Sequence, residues 1–233
     1  MASVTCEKKE ISTLFNRIAA HYDVLNHLLS FGTDRCWMRK TVRKTKPCGK
    51  LLDVACGTGE LSIRLIRHHK AQHVVGLDIS QKMLQIGEEK ILKQDLCNAI
   101  TLRHGDAHAM PCEDASFDAV TCAYGIRNFH DLHKGLSEMW RVLHSGGQLV
   151  ILELSYPENR FFLPFYDFYF SKVMPFVGRW VSGDAAAYTY LNRSVKDFAQ
   201  NTDVPACLAA AGFRNVHQEK LTCGIAALYT ATK

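Results

Sequence analysis

Between residues 50 and 154 the chain alternates short apolar runs with longer amphipathic ones, and this alternation restricts its fold more than any other feature. Residues 50–55, 73–78, 100–104, 117–123 and 148–154 read as strands, and 61–69, 81–95 and 131–143 as helices between them. Strands apolar at nearly every position need cover on both faces, and strands joined through helices run parallel. Two later runs, 216–221 and 226–232, follow a helix at 205–211 stopped by Gly212. Joined through Cys223-Gly224, they read as a hairpin closing one sheet edge. The expectation is an α/β chain with a seven-stranded, mostly parallel, Rossmann-like sheet and helices on both faces.

The flanks differ. Residues 7–46 read as helical, with an apolar stripe of Leu14, Phe15, Ile18, Tyr22, Leu25 and Leu29 interrupted at Gly32. After strand five the alternation lapses, and six of the twelve Phe residues fall between 161 and 176, suiting an apolar ligand wall, a membrane-facing flap or a second small core. A single domain over 1–233 is expected: an N-terminal helical lid (1–46), a cofactor-binding core (47–155), a helical substrate-cap insertion (156–204), and a C-terminal helix and strand hairpin (205–233).

Composition excludes several classes. No run reaches the roughly 18 apolar residues of a membrane span, and the first ten residues lack a signal-peptide core. The expected location is cytoplasmic, with any membrane contact peripheral, at the inner face of the cell membrane. A net charge of +5 falls short of a dedicated nucleic-acid binder, so no nucleic-acid partner is expected. The basic cluster Arg35, Arg39, Lys40, Arg43, Lys44 and Lys46 reads as one solvated helix face. Nine cysteines without a C-x-x-C pair, and His130/His133 and His104/His108 without a third ligand, point to reduced thiols and no metal.

The chemistry concentrates where strands meet helices. Asp53-Val54-Ala55-Cys56-Gly57-Thr58-Gly59-Glu60 places glycines where a tight turn lets a ligand approach the backbone. Asp78, followed by Ile79, ends strand two, where a carboxylate can accept both ribose hydroxyls. Gly105-Asp106-Ala107 follows strand three and suits an adenine amino group. Strand four ends in Cys122-Ala123-Tyr124-Gly125, mostly small residues that leave room for a ligand. A dinucleotide dehydrogenase would need a third glycine at Ser62 and a helix terminus bare for pyrophosphate. Glu60 instead puts negative charge there, which favours a sulfonium ligand, S-adenosyl-L-methionine.

The chain resembles the ubiquinone/menaquinone biosynthesis C-methyltransferase family over nearly its whole length. The resemblance rests on the front segment from Phe15 to Asn26 with Leu29-Ser30-Phe31-Gly32 and Trp37, and on the glycine turn. It rests further on Tyr124-Gly125-Ile126-Arg127-Asn128 with Asp131, Ser182-Gly183-Asp184, Ala187-Tyr188, Tyr190-Leu191 and Leu221-Thr222-Cys223-Gly224-Ile225. Arg141-Val142-Leu143-His144-Ser145-Gly146-Gly147 matches a generic methyltransferase motif, with His-Ser in place of Lys-Pro in what reads as a turn. The resemblance implies a class I methyltransferase with S-adenosyl-L-methionine as methyl donor and no metal. The implied reaction is methylation of demethylmenaquinol to menaquinol, of a 2-methoxy-6-polyprenyl-1,4-benzoquinol, or of both, with a homodimer left open. Carried over by position, donor binding falls to Asp53, Gly57, Thr58, Gly59, Asp78, Ile79, Asp106, Ala107 and Ala123. Some relatives have serine where this chain has Ala123, so one hydrogen bond there is in doubt. Arg127 and Asn128 are expected to be catalytic, and Tyr22, Asp23 and Tyr188 to bind the prenylated quinol. Arg127 stays protonated, so its expected role is to stabilise an oxyanion; the duller alternative pairs it with Asp131 or Asp23. The competing functions are a methyltransferase of another small-molecule class and a non-catalytic cofactor-binding subunit of a quinone-synthesis complex.

Overall fold

A computed structural model describes residues 13, 15–17, 19, 22–30, 32–157, 163–169, 173 and 185–233. Strands β1 (Cys48–Val54), β2 (Ala71–Asp78), β3 (Ile100–His104), β4 (Phe117–Ala123) and β5 (Leu143–Leu154) are parallel in the order 3-2-1-4-5. The late strands β6 (Arg214–Leu221) and β7 (Ala226–Thr232) pair antiparallel with each other, and β7 lies antiparallel to β5. The seven-stranded, mostly parallel sheet expected from the sequence is thus formed, with the hairpin closing one edge.

Strand alternation sends successive residues to opposite faces, and each face carries its own core. Val54, Leu77, Val120, Leu149 and Ile151 pack beneath α5 (Leu132–Val142) and α8 (Val204–Ala210). Leu51, Val74, Ala119, Val150 and Leu152 pack beneath α2 (Thr33–Lys44), α3 (Glu60–Arg67) and α4 (Gln81–Lys93). Helix starts follow from capping residues: Ser80, Asp131 and Asp203 each accept a backbone N–H from the first turn of α4, α5 and α8.

Helix α1 (Tyr22–Leu29) precedes α2 across Gly32, which is left-handed at φ 74° and marks the predicted break. The basic cluster on α2 is largely a solvent face, with Arg35, Arg39 and Arg43 exposed and Lys40 and Lys44 paired with Glu219 of β6. After β5 come α6 (Leu163–Phe168) and the 17-residue α7 (Ala185–Asn201). The Ser182-Gly183-Asp184 motif, Leu14, Ile18, Phe31 and most of the aromatic stretch lie outside the described residues. Among the described residues no helix is long and apolar enough to cross a membrane.

One local expectation fails. His144 and Ser145, read as part of a turn, lie in the first residues of β5, five positions earlier than predicted. Gly146 takes φ 79°, and the end of the chain supplies the pairing that keeps this stretch extended. Gly146 N–H donates to Lys233 O, and Lys233 N–H to Gly147 O, both at 3.0 Å.

Candidate active site

The carboxyl ends of β1, β2 and β4 converge on the glycine turn. Gly57 and Gly59 are left-handed, at φ 56° and 74°, so the turn reverses tightly and starts α3. Gly125, after β4, packs so closely on β1 that a Cβ there would sit 2.7 Å from the Ala55 Cβ and 2.6 Å from the Cys122 Sγ. These contacts leave an open cleft above the sheet edge.

Its walls include Gly57, Asp78, Ile79, Asp106, Ala107, Ala123 and Asn128 among the residues predicted for the site, with Met83, Phe129, His108 and His130 beside them. Asp78 is buried and held from two sides. Its Oδ2 accepts the Gly57 N–H and its Oδ1 the Ser80 N–H, each at 2.8 Å. Burial pushes its pKa up, while those amide donors and His104 pull against the shift. Asp106 accepts the His108 N–H at 2.9 Å and meets His108 Nδ1 at 2.6 Å. His108 Nε2 accepts the Asp131 N–H at 3.4 Å, which leaves the proton on Nδ1. The His130 ring lies 3.7 Å from that of His108.

A second chamber adjoins the first, and Tyr22, Ala55, Gly57, Ala123 and Tyr124 line both. Asp53 and Thr58, predicted beside Asp78, line this second chamber instead. Asp53 is buried under the turn and accepts the Ser62 hydroxyl at 2.6 Å and the Thr121 hydroxyl at 2.7 Å. Burial lifts its pKa to about 6 against those two bonds. The Thr58 hydroxyl donates to Asp23 at 2.8 Å and accepts from Lys90 Nζ at 2.9 Å, and Asp23 and Lys90 are themselves an ion pair. Asp23, expected at the substrate, therefore ties α1 to the glycine turn and α4. Nearby, Asn16 Oδ1 accepts the Ser80 hydroxyl at 2.7 Å and the Lys82 N–H at 3.3 Å. Phe15 and Tyr22 cover the cleft, their rings edge to face at 6.0 Å. Gly59 caps α3 and touches neither chamber; the Tyr188 side chain lies outside the described residues.

Arg127 lines neither chamber. It follows Gly125 in a 3-10 turn (Ile126–Asn128), and its side chain is 4% exposed. Its partner is Glu153 of β5, 2.8 Å away and 1% exposed, rather than Asp131 or Asp23. Asp131 is committed to capping α5 and Asp23 to Lys90. Burial is the largest influence and opposes the Arg127 charge, but Glu153, Tyr22 and Tyr190 together outweigh it and hold the guanidinium protonated above its ordinary pKa. Arg127 Nη1 also donates to the Tyr124 carbonyl at 2.5 Å. Asn128, by contrast, faces the cleft. Its Nδ2 donates to the same carbonyl at 3.3 Å and its Oδ1 accepts the Tyr190 hydroxyl at 3.0 Å. Glu153 and Lys90 escaped the sequence reading, and Tyr190 entered it only as part of a family motif with no site role. A lone acid in the apolar run 148–154 was the available signal for Glu153, since a buried carboxylate needs a cation.

The cleft fits an adenosyl sulfonium. It offers one carboxylate for vicinal hydroxyls (Asp78), another for an amine (Asp106) and apolar walls for a purine (Ile79, Met83, Phe129), while Glu60 lines the second chamber and pairs with Arg64. The comparisons with known proteins agree. A model of the ubiE/COQ5 methyltransferase family matches residues 3–233. The chain is 44% identical to a demethylmenaquinone methyltransferase of Porphyromonas gingivalis, over 98% of this chain and 95% of that protein. It is 40% identical to the ubiquinone/menaquinone biosynthesis C-methyltransferase UbiE of Geotalea daltonii, over the full length of both. A crystal structure of a SAM-dependent methyltransferase from Aquifex aeolicus superposes with a TM-score of 0.60 at 18% identity, over 83% of this chain and 88% of that one, a likeness of fold alone.

Proposed function

We infer the reaction from one premise: the chain belongs to the ubiE/COQ5 methyltransferase family, whose model spans nearly its whole length. It is an S-adenosyl-L-methionine-dependent methyltransferase. The reading that best joins the named relatives to the geometry is C-methylation of a prenylated quinol, demethylmenaquinol before a methoxybenzoquinol. The carrying observation is the wall common to the two chambers, where Tyr22, Tyr124 and Ala123 stand beside Asn128 on the cleft side.

When bound, the donor supplies an electrophilic methyl group on a cationic sulfur. The chain's task is to hold it and to make a ring carbon nucleophilic. Asp78, pinned by two amides, is suited to the ribose, and Asp106, steadied by His108, to the adenine amine. Gly57, Ile79, Ala107 and Ala123 complete the donor's surface, while Asp53, Thr58 and Gly59 support it by fixing the turn.

A phenolic hydroxyl ionises near pH ~10, so the site must favour the quinolate. We assign Asn128 the contact with a ring oxygen, because its amide is on the wall and oriented by Tyr190 and the Tyr124 carbonyl. Arg127 acts from behind that wall, as a brace and a fixed charge balanced by Glu153, and is a positioning residue on this reading. Tyr22 and Tyr188 remain assigned to the quinol. Asp23 acts as a fastener of the cover, supporting Tyr22 beside it.

The deciding experiment supplies methyl-labelled S-adenosylmethionine with demethylmenaquinone and a methoxybenzoquinone, each reduced and oxidised. Label should enter reduced demethylmenaquinone and neither oxidised ring. Label in the benzoquinol alone would change the assigned substrate, and label in neither quinol would end the reading.

A further inference from the structure

Tyr124 combines two unfavourable features at one point on the wall that both chambers share. Its backbone is left-handed at φ 58°, a conformation aromatic residues rarely adopt outside constrained sites. Its hydroxyl is buried, and among the described residues no hydrogen-bond partner reaches it. Native proteins seldom leave a buried donor unmatched unless a ligand or water completes it.

The strain is held from both ends. The Tyr124 N–H donates to Leu152 O at 2.7 Å, and its carbonyl accepts from Arg127 and Asn128. Three anchors from β5 and the 3-10 turn thus hold the Tyr124 backbone in its left-handed conformation. A second buried donor without a partner among the described residues, Arg127 Nε, belongs to one of those anchors. Arg127 stands behind the wall, so the Tyr124 hydroxyl is the unmatched donor on a residue that lines the chambers, and it calls for an oxygen-bearing ligand. The groups whose charges bear on the hydroxyl are Asp34 of α2, Tyr22 of α1, Glu153 of β5 and Arg127. Burial, with the carboxylates, keeps its proton in place, so it faces a ligand as a donor.

We propose that the Tyr124 hydroxyl donates a hydrogen bond to a ring oxygen of the aromatic substrate, and so selects the quinolate for methylation. The inference rests on the quinol reading above. The hydroxyl is buried on a residue that lines both chambers beside Tyr22, so a ring oxygen meets it only on entering that shared wall. Ring entry and the hydrogen bond are then one event. Asn128 approaches from the cleft side and Tyr124 from between the chambers, so the two donors hold the ring by its oxygen while leaving a carbon open to the methyl.

The test is Tyr124→Phe, which removes one oxygen atom. Reduced demethylmenaquinone with a short prenyl tail and labelled S-adenosylmethionine serve as probes. Expected are an unchanged or higher melting temperature, unchanged donor affinity, and a kcat/KM for the quinol lower by about 100-fold, the lower end of what loss of an oxyanion donor costs. The acidic limb of the rate profile should also move up by about one pH unit, because the substrate loses a group that favours its anion. Equal kcat/KM and an unmoved limb overturn the proposal. So does a variant that fails to fold or melts well below the parent, since the hydroxyl then has a structural partner such as a buried water. If the parent enzyme labels no quinol at all, the quinol reading itself falls; a labelling parent with an equally active variant defeats only the role of Tyr124.

Discussion

The donor-side wall around Asp78 and Asp106 and the cluster behind it around Arg127 are built on opposite plans. Asp78 is held by amides at Gly57 and Ser80, and Asp106 by His108 two residues on. Their partners are mostly main chain at the ends of adjacent strands, so the sheet itself orients them. Arg127 and Asn128 share the nearby Tyr124 carbonyl but depend for the rest on the side chains of Glu153 and Tyr190, 26 and 62 residues away. The first arrangement tolerates change in its neighbours, since backbone donors survive substitution. The second concentrates its stability in a few contacts that fail singly.

The largest effect should separate the two regions most clearly. Glu153→Ala leaves a buried guanidinium without its counter-charge and should destabilise the fold by about 3–5 kcal/mol. Asp106→Ala, at a partly exposed position, should cost about 1 kcal/mol. Urea unfolding of the two variants compares them directly, and equal losses would break the distinction.

Next in size is a pH effect confined to the floor of the glycine turn. Asp53 titrates at about 6 when folded, against an ordinary 3.8, so the folded state binds the proton more tightly than the unfolded chain. Its contribution is fully present below the unfolded value and is lost as pH rises through the folded one, about 2–3 kcal/mol in all. Melting temperatures of the parent should therefore fall between about pH 4 and 7 more steeply than those of Asp53→Asn. Parallel curves would show a carboxylate less buried than this one.

The smallest effect sharpens the long-range plan. Tyr190→Phe removes the hydroxyl that fixes the Asn128 amide, a bond of about 1 kcal/mol. Steady-state kinetics should show kcat lower by about fivefold with donor affinity unchanged, and an unaltered kcat would make Tyr190 a packing residue only.

The same division explains what could be read before the structure. Strands 100–104, 117–123 and 226–232 coincide with the prediction to the residue, because apolar periodicity is local and the sheet uses it directly. The acids at strand ends were legible for a similar reason: topology brings them to one edge. Asp53 and Thr58 sit in the same motif, yet they border the second chamber with their polar atoms bonded to Ser62, Thr121, Asp23 and Lys90, a matter of side-chain direction that spacing does not encode. The start of β5 was missed because Gly146-Gly147 reads as a turn until Lys233 is known to bond across it. Arg127 was found, but its partner was not, since nothing near it in sequence announces Glu153.

The cover over the cleft has an implication for engineering. Asn16 grips Ser80, the cap of α4, and Asp23 grips Thr58, inside the glycine turn. Cover and floor are therefore one assembly and not interchangeable modules. A front segment transplanted from a relative would bring its aromatic rings but find no mates for its fasteners unless Thr58, Ser80 and Lys90 were present in the recipient. Chimeras meant to change the substrate should exchange both halves together.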